Sequence, residues 1–424
     1  AGAWCGQNKY LSAIKNAFQN FMPLTIAGAI GVLWCNVLVN DQTGLGLFFK
    51  PIMALDFLNP AFQAVNFCTI SCITVGITLG IAQEIGVWNM GAERAGYIPG
   101  LVGLAAWLSV TNTSHMVEGA KEAFTGIAGN ELGATGLFTG MIIGVLSVEL
   151  FCFFEKQDAL KIKMPEQVPP GVARAFEVLV PATITLIITA CIGSACYNLT
   201  GLYLNDVIKN GIQGPLGAVG ATIPGVMIIY LVIMLFWLVG IHGNNMLSAV
   251  KEALFTPLAL ENVEKFNKGE KPTNIINMYA LQMWGEFGGS GVTIGLVIAI
   301  MIFGKREDNK AIATLSLVPG LFNINETVTF GVPMVLNPIL GIPFVVAPLI
   351  TIIIGYVLTV IGFCPVACLT VPWTTPPIVF GFLACGANVM GAVTQAILIV
   401  VSTVIYTPFL ISYEKYQNKQ AAEA

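Results

Sequence analysis

The chain has 424 residues, of which 56% are hydrophobic and only 10% charged, with a mean hydropathy of +0.80. Soluble domains carry about a quarter charged residues, so the composition excludes a soluble protein and indicates a polytopic membrane protein. A net charge of −4 with no basic stripe leaves no footprint for nucleic acid, and the lack of short alternating strands argues against an outer-membrane barrel.

The N-terminal AGAWCGQNKYLSAIKN has neither the basic n-region nor the cleavage site of a secretory signal, and is compatible with a trimmed or tagged start. Six apolar segments follow, at about Phe21 to Val39, Phe62 to Ala82, Tyr97 to Val110, Leu132 to Phe154, Phe176 to Asn198 and Ala218 to Ile241. Each approaches the roughly 20 residues that a spanning helix needs, the third being short. The first ends in a polar turn at Asn40, Asp41 and Gln42. After the fourth comes the polar stretch EKQDALKIKMPEQVPPGVAR, with Lys156, Lys161, Lys163 and Arg174 and a Pro-Pro pair that stops a helix.

Lysine and arginine in short loops mark the cytoplasmic side. Lys9, Lys15, Arg94 and the Lys156 to Arg174 loop share one side, while the loops after the first and third segments, on the other side, carry few positive charges (Lys50 and Lys121). Lys305, Arg306, Lys310 and the polar tail YEKYQNKQAAEA also fall on the cytoplasmic side, which places both termini there.

Beyond Ile241 the pattern is less regular. Lys251 to Lys271 is a mixed-charge stretch, expected as a solvated loop or surface helix. Asn274 to Gly304 is apolar but broken by GEFGGSG, as a bent span or re-entrant hairpin. Leu315 to Pro348 carries Asn323, Asn325 and Glu326 among Pro319, Gly320, Gly331 and Pro333, and apolar segments at about Pro343 to Phe363 and Asn388 to Ile411 follow. Interrupted helices are where transporters build substrate sites. A scaffold or dimerisation half (1–205) and a transport half (206–424) are therefore expected, joined near Asn198 to Gly217.

The ten cysteines form no disulfide or metal framework; Cys68 with Cys72 and Cys191 with Cys196 read as small hydrophobes in apolar runs. No metal site is expected. Of the two histidines, His115 reads as a loop residue without catalytic role, whereas His242 sits in WLVGIHGNNM between glycines and next to Asn244 and Asn245. Glu326 in NINE is costly wherever the bilayer excludes water, so it must be paired, protonated or facing a wet cavity. Backbone broken at that depth lines a cavity or is buried in protein. The two sites share one style, a titratable group among asparagines and glycines. Asn244, Asn323 and Asn325 offer donors and acceptors suited to a polyhydroxylated ligand. Trp237, Trp284 and Trp373 offer apolar faces for sugar rings, though tryptophan also anchors membrane interfaces. Glu286 in GEFGG is a second, weaker carboxylate candidate.

These motifs resemble the membrane (IIC) component of a sugar phosphotransferase system, lactose/cellobiose/diacetylchitobiose type. The likeness runs along nearly the whole chain: LSAIKNAFQNFMPLTIAGAI, LGATGLFTGMIIGVLSVELF, IKMPEQVPPGVARAFEVLVPA, WLVGIHGNN and GLFNINETVTFGVPMVLNPILGIPF. The resemblance implies an all-α fold of about ten transmembrane helices plus two re-entrant hairpins, against eight spans and two broken segments read from the residues. It also implies a homodimer in the bacterial cytoplasmic membrane that moves a disaccharide, diacetylchitobiose or cellobiose by overall likeness, by alternating access. A phosphocysteine on a separate IIB protein then phosphorylates the sugar 6-hydroxyl, so the chain itself needs no cofactor. By the same resemblance Glu326 orients or deprotonates that hydroxyl, His242 supports it, and IIB docks at the loop around Lys161 to Arg174. The rival reading is an ion-coupled sugar transporter in which Glu326 and His242 relay protons. An intramembrane hydrolase would need a nucleophile with a base, or a metal-ligand cluster, and the sequence offers neither.

Overall fold

A computed structural model describes residues 8–423 apart from 42–45, 47–48, 116–123, 166, 214, 216–219, 333 and 335–336. Gln42, Lys121, Gly217, Ala218 and Pro333, named above, lie outside the described residues. Among those described, the fold is helical, with one short antiparallel ribbon pairing Ser114–His115 with Phe124–Thr125.

Among the described residues, five helices are long and apolar enough to cross a membrane: Lys9–Leu38, Ala134–Glu155, Pro170–Thr200, Gly341–Val360 and Val389–Gln420. Two bent pairs raise this to seven, Lys50–Ser71 with Ile73–Met90 and Met278–Val292 with Ile294–Phe303, the latter turning through 60°. Ile98–Val110 and Ile223–Leu238 are shorter apolar helices. The all-α membrane architecture read from the sequence is thus present. Interruption is not confined to the second half, however: the second apolar segment runs through a π-helical turn, Phe67–Ser71, before Cys72.

The Asn274 to Gly304 region resolves as the bent pair, with glycines supplying the break. The Lys251 to Lys271 stretch is a helix as far as Asn267, one of the two forms expected, but one side of it is buried. Lys251 to Asn267 form the larger part of one helix, Gly243–Asn267, whose Lys251, Phe255, Ala259, Leu260, Asn262 and Val263 are buried. The charges at Glu261, Glu264, Lys265 and Lys268 pair i to i+4 on its exposed side, and it is these that make the composition look solvated.

Contacts divide the chain into two compact units, one from Gly6–Gly28 and Ala64–Gly217, the other from Ala29–Gln63 and Ala218–Ala424. The first packs apolar helices through small residues, since lipid supplies no hydrophobic drive for helix association. Gly144 lies against Thr78, where an added Cβ would come 3.1 Å from the Thr78 carbonyl oxygen. Ala106, Trp107, Val110 and Ile143 form one buried cluster within it. One end of this unit holds an ion cluster: Arg94 and Arg174 share the buried Glu155 at 2.8 and 3.0 Å and both reach Glu177. The described cysteines are free thiols; Cys152, Cys364, Cys368 and Cys385 are buried, but Cys68 and Cys191 are exposed on helix surfaces. His115 lies on the ribbon, tilted against Phe124.

Candidate functional site

The second unit contains two helix corners built alike. The Ile223–Leu238 helix stops because the Ile241 N–H returns to the Phe236 carbonyl at 2.9 Å and the Gly240 N–H to Trp237 at 3.0 Å. Gly240 takes φ +80°, the left-handed position that closes such a cap. His242 then caps the next helix, its Nδ1 accepting the Asn245 N–H at 3.3 Å. Gly243 has no room for a side chain, since a Cβ would strike the Ile233 backbone.

The Glu307–Leu321 helix ends the same way. The Ile324 N–H reaches the Pro319 carbonyl and the Asn323 N–H reaches Gly320, both at 3.0 Å. The left-handed residue is now Asn323, at φ +61°, an amino acid whose short polar side chain tolerates that region. Asn325 follows as N-cap, and Glu326 opens the short helix Glu326–Gly331.

These corners bring His242 Nε2 within 3.8 Å of Glu326 Oε1, with the two side chains 39% and 49% exposed. Both are therefore reachable by a ligand. Because Nδ1 accepts a backbone proton, the neutral imidazole carries its own proton on Nε2, the nitrogen that faces the carboxylate. Trp237 joins them, its ring centroid 4.4 Å from that of His242. Its Nε1, like Asn244 Oδ1, is buried without a hydrogen-bond partner. Asn244 follows His242 at the start of the same helix.

The other expected residues serve differently. Asn323 Oδ1 accepts the Gly288 N–H at 2.6 Å, and its Nδ2 donates to the carbonyls of Trp373 and, at 3.1 Å, Thr375. Asn325 is buried and its Nδ2 donates to the Ser290 carbonyl at 2.7 Å. Both amides are engaged with backbone, which ties the NINE corner to the GEFGGSG break. Trp373 is 45% exposed beside this corner, whereas Trp284 is only 1% exposed and packs where a Cβ on Gly355 would meet its ring.

Glu286 is no bystander of a bend. It receives the Tyr230 hydroxyl at 2.7 Å and forms an ion pair with Lys251, whose side chain is 7% exposed. Sequence reasoning placed Lys251 in a solvated stretch and did not single out Tyr230. The signal for the pair was a lysine with Ala249 and Val250 before it and Ala253 to Phe255 after it, within reach of a carboxylate in an apolar break. Among the described residues no group of three or more His, Cys, Asp or Glu side chains is arranged to hold a metal ion.

Residues 15–348 match the family described as "Phosphotransferase system, EIIC". The chain is 33% identical over 413 residues to the oligo-beta-mannoside-specific EIIC component of Bacillus subtilis (strain 168), covering 96% of this chain and 90% of that one. It is 30% identical to the cellobiose-specific EIIC component of Lactococcus lactis subsp. lactis (strain IL1403), covering 98% and 96%. The crystal structure of the transporter ChbC, the IIC component from the N,N'-diacetylchitobiose-specific phosphotransferase system, matches with a TM-score of 0.90 at 29% identity, over 99% of this chain and 97% of that one. The chain is therefore a multi-pass membrane protein that belongs to the phosphotransferase system EIIC family.

Proposed function

We propose that this permease carries a β-linked disaccharide across the bacterial cytoplasmic membrane and presents its 6-hydroxyl to a phosphorylated IIB protein. The His242–Glu326 pair carries this reading: a carboxylate and an oriented imidazole N–H, 3.8 Å apart and both half exposed. The Glu326 carboxylate accepts the proton of the sugar 6-hydroxyl as that oxygen attacks the phosphorus of the IIB phosphocysteine. The S–P bond breaks, the cysteine leaves as thiolate, and the phosphoryl group stays on the sugar. Positioning and electrostatics dominate phosphoryl transfer, and a placed base adds proton transfer at the attacking oxygen. His242 Nε2–H faces the carboxylate from 3.8 Å and supports it electrostatically. The exposed Trp373 and the partly exposed Asn244 fit the rim of a sugar site, while Asn323 and Asn325 fit its frame.

The substrate class is supported by the relatives named for cellobiose, oligo-beta-mannosides and diacetylchitobiose. N,N'-diacetylchitobiose and cellobiose are the first sugars to test. In the same reading the chain works as a homodimer with both termini cytoplasmic, residues 1–205 serve as scaffold and 206–424 as transport half. IIB docks near Lys161 to Arg174, where Lys161 pairs with Asp158 and Arg174 with Glu155. The phosphoryl donor belongs to IIB, so no cofactor resides in this chain. The test uses vesicles containing the permease and loaded with phosphorylated IIB. Sugar phosphate should accumulate inside without a proton gradient. Uptake of unmodified sugar that collapses with an uncoupler would establish the ion-coupled alternative instead.

A further inference from the structure

His242 and Glu326 stand on separate helix corners, and 3.8 Å is too long for a hydrogen bond to fix their spacing. Their separation must be set by what holds the corners. From His242 the Gly243–Asn267 helix runs to Lys251, which is buried and ion-paired to Glu286. The Glu286 carbonyl accepts the Gly289 N–H at 3.0 Å, closing the glycine turn. Gly288 then donates to Asn323 at 2.6 Å, and Ser290 accepts from Asn325 at 2.7 Å. Glu326 is the next residue. The route is unbroken, and Lys251, Ser290 and Asn325 on it are each 4–5% exposed.

We propose that Lys251, through its ion pair with Glu286, is a positioning residue that sets the distance between His242 and Glu326. This rests on the catalytic reading given above. A buried ion pair stabilises a fold no better than apolar packing of equal volume, but it is directional: it pins one carboxylate to one point of a helix. Here that carboxylate begins the turn on which the NINE corner is hung. The Tyr230 hydroxyl, at 2.7 Å from the same Glu286 oxygen, blocks it from swinging away. Glu252, the neighbouring carboxylate, is bonded to the Thr256 hydroxyl and does not compete for this role.

The test uses the full-length permease in vesicles with phosphorylated IIB and radiolabelled N,N'-diacetylchitobiose or cellobiose, whichever the parent protein phosphorylates. Lys251→Met alone strands a buried carboxylate and is a poor folding risk, so the decisive variant is the neutral pair Lys251→Met/Glu286→Gln. It should keep sugar affinity within about threefold and unfold near the parent temperature. Its kcat should fall roughly ten- to a hundredfold, as expected for misplacement by about an ångström. Lys251→Arg, which keeps the charge, should recover most of the lost rate. Parent-like kcat in the neutral pair, or equal loss of binding, stability and turnover, overturns the positioning role. Glu326→Gln is run alongside: if it retains full turnover the catalytic reading itself fails, whereas an inactive Glu326→Gln with a fully active neutral pair sinks only the role of Lys251.

Discussion

Asn323 Oδ1 accepts the backbone N–H of Gly288 at 2.6 Å, so the NINE corner and the GEFGGSG break are one piece of structure although 35 residues separate them. Two interruptions that look like independent defects in apolar helices brace each other. The carboxylate that follows them inherits their rigidity, and its position opposite His242 can be tested residue by residue.

In the proposed reaction His242 acts through Nε2, since Nδ1 accepts the Asn245 N–H at the helix cap. His242→Gln removes the oriented N–H and weakens that cap. Turnover with phosphorylated IIB should drop roughly 10²-fold, the lower end for groups assisting proton transfer, with sugar affinity nearly unchanged. Isothermal titration beside a phosphorylation assay checks both. A variant that turns over normally would remove His242 from the reaction.

Asn325→Ala deletes the donor to the Ser290 carbonyl at a site 4% exposed. A buried acceptor left without its partner costs about 1–3 kcal/mol. The melting temperature in detergent should fall measurably, and turnover should fall with it because Glu326 is the adjacent residue. An unchanged melting temperature would show that water replaces the amide at no cost.

Gly289→Ala meets two obstacles together. Its φ is +88°, and an added Cβ would lie 2.6 Å from Asn325 Cγ. Gly91→Ala is the control, with φ +81° but nothing within 4 Å. Both combine positive φ with an extended ψ, so each should lose the roughly 1–3 kcal/mol that a non-glycine residue pays there, but only Gly289→Ala should also disturb phosphorylation. Equal effects of the two on turnover would deny that the glycine turn frames the site.

Much of this was legible in the residues. Apolar length located the spans, and the cost of charge at membrane depth singled out Glu326. Its resemblance in style to the His242 corner joined two motifs 84 residues apart, which the structure brings to 3.8 Å. Other features were hidden for physical reasons. Counting charges cannot separate Lys251, buried on Glu286, from Lys265 in the last turn of the same helix and Lys268 at its C-cap, which pair with Glu261 and Glu264. An asparagine offers the same donors whether it meets a sugar or a backbone. Asn323 and Asn325 therefore read as ligand groups, although their amides reach Gly288, Trp373, Thr375 and Ser290. A tryptophan likewise announces an apolar face, but not that Gly355 leaves Trp284 a slot in the interior.

The most direct measurement is made on Glu326→Gln, which keeps the size and hydrogen-bonding reach of the side chain but cannot take a proton. Reconstituted permease is assayed for disaccharide binding and for sugar-phosphate formation with phosphorylated IIB. Binding should persist at near-parent affinity while phosphorylation falls by roughly 10²–10⁴-fold. Sugar phosphate formed at the parent rate would contradict the role of Glu326 as the base at the 6-hydroxyl.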